Sequence, residues 1–145
     1  MKSTDLTTHS VMFHHFHDDH KHPKGQGAIS RRDFSEIINY LDNEFSLISA
    51  SDYINLFLNN EINNEHICLS FDDALKCQLD IAIPVLEERN LDAFFFIYTS
   101  PLMGEPDFLE VYRYFRTVKY SDISLFYKDF FNSLEQQYQS LFQKS

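Results

Sequence analysis

Two neighbouring carboxylates, Asp72 and Asp73, close the apolar run His66–Phe71. Like charges side by side at the mouth of a buried strand repel unless something offsets them. Two arrangements would do so. In one, Asp73 caps the helix that follows and Asp72 faces water. In the other, one carboxylate ligates a divalent metal, and its neighbour takes a proton from metal-bound water. Acidic pairs end strands in several unrelated α/β families, so the pair alone leaves both arrangements open.

Histidines form the second cluster. Five of the seven, His14, His15, His17, His20 and His22, lie close together near the N-terminus. Imidazole is a good zinc ligand, but no two-plus-two zinc spacing occurs here. His20 and His22 belong to the polar stretch "HDDHKHPKGQG" and read as solvated. His14 and His15 sit on an apolar strand, so one of them must point inward or toward the mouth of the fold. A buried, satisfied imidazole is the alternative to a working one. His66 precedes its strand at the end opposite the aspartates and reads as structural. Ser70 has no suitably spaced histidine to make it a nucleophile, and no Gly-rich phosphate loop is present.

The elements that must hold these residues follow from periodicity and punctuation. "VMFHHF" (Val11–Phe16) reads as a strand that runs into a loop broken by Pro23, Gly25 and Gly27. Ser30 is placed as an N-cap with Asp33 in the capping-box position. Phe34, Ile37, Ile38, Leu41 and Phe45 then recur at helical spacing. "SLISA" reads as a short strand. "SDYINLFLN" reads as a helix capped by Ser51, with Tyr53, Leu56 and Phe57 inward. After the strand "HICLSF", "ALKCQLDIAIPVLEERN" is helical, with Leu75, Leu79, Ala82 and Leu86 on one side and a kink or restart at Pro84. "LDAFFFIYTS" contains the next strand.

This order alternates strand and helix, which implies parallel strands joined by right-handed crossovers. In such folds chemistry collects at the C-terminal strand ends. The first strand ends near His14 and His15, the third at Asp72 and Asp73, so both clusters fall on one side. After Gly104 the chain reads as helix to its end. Ile123, Phe126, Tyr127, Phe130, Phe131, Leu134, Tyr138, Leu141 and Phe142 form a stripe that Ser121 or Asp122 would start.

A formal charge of −10 with no basic cluster argues against nucleic acid and anionic membrane as partners. Cys68 and Cys77 read as packed thiols in a reducing compartment. The N-terminal stretch lacks the apolar segment and cleavage site of a leader. No run approaches the ~18 apolar residues of a membrane span. The expected setting is cytoplasmic.

At "LSFDDALK" the sequence resembles the polysaccharide deacetylases (carbohydrate esterase family 4, NodB-like domain), whose first motif is a strand ending Thr-Phe-Asp-Asp-Gly. "VMFHHF" is similar to the Met-Tyr-His segment that opens one branch of that family. "DFSEIINYLDNEFSLISASDYINLF" and "IPVLEERNLDAFFFIYTSPL" resemble the stretches on either side of the acidic motif. The likeness runs from Val11 to about Leu102 and covers the N-terminal part of the family domain only. It implies an α/β fold, a partial distorted (β/α) barrel of parallel strands over residues 1–104, with a helical C-terminal extension or insertion over 105–145.

It also implies metal-dependent removal of acetyl groups from an acetylated sugar or polysaccharide. Asp72 resembles the general base, Asp73 resembles a metal ligand, and His14 matches the histidine of the opening segment and is assigned to the metal. The cofactor would be a divalent metal, zinc first. Two departures stand out. Ala74 replaces the family's Gly, and the second motif, His-x-x-x-His, is missing, since no histidine follows His66. The expectation is therefore an incomplete chain, weakly active or inactive alone.

Two other readings differ in class. One is a non-catalytic α/β module that self-associates through its aromatic C-terminal helices, because so large a stripe is unusual on a monomer. The other is an Asp-based phosphohydrolase, which expects a partner Lys at a later strand end, whereas Lys76 falls on the helix.

Overall fold

In a computed structural model the described residues run from His9 to Phe142. Of the N-terminal stretch read for a leader, residues 1–8 lie outside them, as do the side chains of Leu141 and Phe142 at the end of the stripe. In chain order the elements are β1 (His9–Phe13), β2 (Phe16–His17), β3 (Ile29–Ser30), α1 (Arg31–Glu44), β4 (Ser46–Leu47), α2 (Ala50–Leu58) and β5 (His66–Phe71). A π-helical turn (Gln78–Ala82), α3 (Ile83–Glu88), β6 (Phe94–Phe95), α4 (Phe108–Lys119) and α5 (Ile123–Phe142) follow.

β5 is the centre of the sheet. β1 lies along one side of it, in parallel, with Phe13 opposite Phe71. β4 pairs with its start and β6 with its end, both in parallel. β2 and β3 form a separate parallel pair. The fold is thus α/β with parallel strands, as expected. Among the described residues the sheet is open and does not close on itself.

Four phenylalanines form the centre of the core. Phe34 of α1 meets Phe13 and Phe16 edge-on, each at 5.0 Å between ring centroids, and Phe71 at 6.0 Å. Phe34 and Phe71 are fully buried. These rings anchor the backbone one residue before His14 and one residue before Asp72. α1 is held at its start by the expected capping box: Ser30 Oγ accepts from Asp33 N, and Asp33 returns a bond to the Ser30 backbone. Its buried face is Phe34, Ile38 and Leu41. Phe45 lies at its C-cap and is exposed rather than inward.

Several local expectations are corrected. Val11–Phe16 is not one strand; the chain leaves β1 after Phe13, and the His15 carbonyl accepts from Ile29 N at 3.1 Å instead. α2 is capped by Ser49, whose side chain accepts from Asp52 N, and not by Ser51. Ser51 turns to Asp92 in the connection between α3 and β6. Phe57 faces solvent.

The helix after β5 departs furthest from the regular pattern. Pro84 has no N–H for the Asp80 carbonyl, so α-type pairing fails there. The turn widens instead, and Ile83 N bonds back five residues to Gln78 O. Leu79, expected on the inward side, is exposed, and Gln78 beside it is buried. Ala82 and Leu86 are buried as expected.

Candidate functional site

Phe13 and Phe71 share a register position, so the residues after them leave the sheet together. That places His14 Nε2 3.7 Å from Asp72 Oδ2, both side chains about one-third exposed. The separation suits a charge contact and is too long for a hydrogen bond. Asp73 and Ala74 follow in left-handed backbone, with φ of +73° and +51°. No hydrogen bond of Asp73 among the described residues ties it to the next helix, so the capping arrangement is not what the chain adopts. Ala74 stands in a conformation that glycine adopts without a Cβ clash.

A carboxylate that sequence reasoning missed lies beside this pair. Glu110, on the first turn of α4, accepts from His15 Nε2 at 3.1 Å. Burial first, then Arg113 and His14, pushes the His15 imidazole down to about 4. At neutral pH the ring is uncharged, and the contact is a hydrogen bond rather than an ion pair. Burial also raises the Glu110 carboxyl, and the charges of Asp107 and Asp73 push the same way. Arg113 offsets part of this, with Nε 3.4 Å from Glu110 Oε1. A helix-start acid is common, and nothing in its spacing marks Glu110 as reaching back to His15.

Of the remaining histidines, His17, His22 and His66 have structural partners. His17 is buried and bonded to Asp19 at 3.0 Å. His22, expected in solvent, instead bonds Asp80 at 2.9 Å and ties the polar loop to the π turn. His20 is exposed. Asp18 holds the loop by accepting from the backbone N–H groups of His20, Lys21 and His22, each at 2.9 Å, and those bonds hold its carboxyl at about 2. His66 Nδ1 accepts from Asn63 N at the far end of β5, away from the aspartates. Lys76 pairs with Asp80 on its own helix.

Two cavities flank His15. One, of about 350 Å³, runs between the polar loop and α4 and is lined by His22, Glu110, Arg113 and Tyr114. The other, of about 380 Å³, is lined by His14, Gln26 and Ile37. Asp72 and Asp73 line neither and stand at an open rim.

The donor types fit a divalent cation, but their arrangement does not complete a centre. Zinc takes three or four protein donors. Among the described residues no group of three or more His, Cys, Asp and Glu side chains is arranged to hold a metal ion. No helix of the described residues is long and apolar enough to cross a membrane. Both cysteines are free and buried, and burial pushes each thiol up from its ordinary value.

No protein-family model matches the chain, and no curated protein matches it. Solved structures do. IcaB from Ammonifex degensii is 23% identical with a TM-score of 0.50, the match covering 62% of this chain and 37% of that one. A de-N-acetylase from Aggregatibacter actinomycetemcomitans is 23% identical with a TM-score of 0.54, covering 68% of this chain and 40% of that one. The chain therefore spans well under half the length of these structures. The likeness met first at Ser70–Phe71–Asp72–Asp73 is thus a likeness of fold, and over about 60% of its length the chain resembles part of a polysaccharide deacetylase.

Proposed function

We propose that the chain forms the front part of a carbohydrate deacetylase centre, with residues 1–104 as the deacetylase-like half-barrel and 105–145 as a helical extension or insertion. The reading is carried by the meeting of Asp72 and His14 at the ends of adjacent parallel strands. Sharing a fold with a de-N-acetylase supports it. In this reading an acetylated sugar lies at the rim. Asp72 takes a proton from a water whose oxygen bonds to the acetyl carbonyl carbon. The bond from that carbon to the sugar nitrogen or oxygen then breaks, and the leaving atom takes a proton. Acetate and a free amine or hydroxyl result.

Asp73 and His14 are the residues we assign to a divalent metal, zinc first. Since the described residues supply too few convergent donors, the chain alone is expected to hold zinc weakly. The two buried free thiols support a cytoplasmic setting.

The test is titration of the labelled chain with an acetylated oligosaccharide and with its deacetylated form, read by NMR. Shifts at His14, Asp72 and Asp73 with the acetylated sugar alone support the reading. Any acetate released should disappear in Asp72→Asn. An equal response to both sugars, or none at those residues, overturns it.

The exposed faces of the last two helices favour a second reading. Phe108, Tyr112 and Tyr114 on α4 and Phe130 and Phe131 on α5 all face solvent. A face of this kind suits association between copies. A single monomeric boundary in sedimentation at high concentration counts against it.

A further inference from the structure

Beyond Phe13 and Phe71 the two central strands part. Their final peptide–peptide bond among the described residues runs from Asp72 N to Phe13 O at 3.2 Å. One residue further, a side chain takes over. Gln78 Nε2 donates to the His14 carbonyl at 2.9 Å and to the Asp72 carbonyl at 2.6 Å. A primary amide has two protons, and both are used.

Gln78 is almost fully buried, and its Oε1 has no partner. Were it only filling space, an apolar side chain of similar volume would do so without leaving an acceptor bare. Its two donors account for its presence in the core. The chain around it also needs restraint. Asp73 and Ala74 are both left-handed, and the His14–Asp72 contact is too long to hold itself together.

We infer that Gln78 is a positioning residue whose amide clamps the end of β1 to the end of β5 and so sets His14 and Asp72 face to face. It touches neither reacting group; it acts through the two carbonyls. Gln78 opens the widened turn before Pro84 and shares its buried side with Ile81 and Ala82. The inference concerns geometry in the free protein, needs neither metal nor sugar, and stands or falls separately from deacetylation.

NMR of the full chain tests it. Scalar couplings across the two hydrogen bonds are expected from Gln78 Nε2 to the carbonyl carbons of His14 and Asp72. In Gln78→Leu the cross-peaks between the His14 ring and the Asp72 β-protons should be lost, while the contacts between the Phe34 and Phe71 rings persist. Gln78→Glu keeps the shape but, as a carboxylate, no donor, and should lose the same cross-peaks. Survival of those cross-peaks in a folded Gln78→Leu chain overturns the inference, as does absence of both couplings in the unsubstituted chain. If Gln78→Leu does not fold, Gln78→Met, which also fills the space without a donor, is read the same way, and the couplings decide on their own.

Discussion

Ala74 has a φ of +51°, where a Cβ crowds the backbone. Ala74→Gly is expected to stabilise the protein by about 1 kcal/mol, measured by urea denaturation, since it removes left-handed strain at a small entropic cost. His15 makes a second prediction. Its folded value is depressed to about 4 from an ordinary 6.5. Its contribution is therefore fully present above pH 6.5 and is lost as pH falls toward 4. Relative to His15→Asn, the unsubstituted protein should lose about 2–3 kcal/mol over that window, in denaturation curves at matched pH. Glu110 has the opposite sign, because its carboxyl is raised, so Glu110→Gln should leave stability at neutral pH unchanged or higher. Asp72 and Asp73 were legible because they adjoin each other and end an apolar run. Glu110 was not, because it lies 95 residues from His15 and meets it only in the folded chain.

Helix starts were readable where a capping box supplied two matching signals, as at Ser30 and Asp33. Ser30→Ala should cost about 1 kcal/mol, from the same denaturation measurement. At α2 the expected cap, Ser51, lies inside the helix, because Ser49 two residues earlier also precedes the apolar face and takes the cap. The structure uses Ser49 for the cap and Ser51 to reach Asp92. The π turn was beyond a 3.6-residue template: Pro84 announced a disturbance, but the bond five residues back that replaces the regular one has no pattern in the sequence. Among core positions Phe34 touches three other rings. Phe34→Ala should cost about 3–5 kcal/mol and loosen both central strand ends together, seen as faster amide exchange at Phe13 and Phe71.

For the molecule as a whole, alternation of strand and helix was enough to give parallel pairing, and the register of β1 on β5 brought the two polar clusters to one side. Closure was not legible, because it depends on which strands find neighbours. Phe95, Phe96, Ile97 and Tyr98 at and beyond β6 stay exposed. Zinc titration by calorimetry should show no tight stoichiometric uptake; tight uptake lost in Asp73→Ala would mean that donors gather which stand apart here. The widened turn beneath this rim has a consequence for the chain's length. Deleting one residue between Gln78 and Ala82 would take away the wide turn, yet the N–H that Pro84 lacks would still be missing. The stretch that gives up a regular internal bond is thus the one that carries the amide joining two strand ends, and it cannot be shortened into a fully bonded helix.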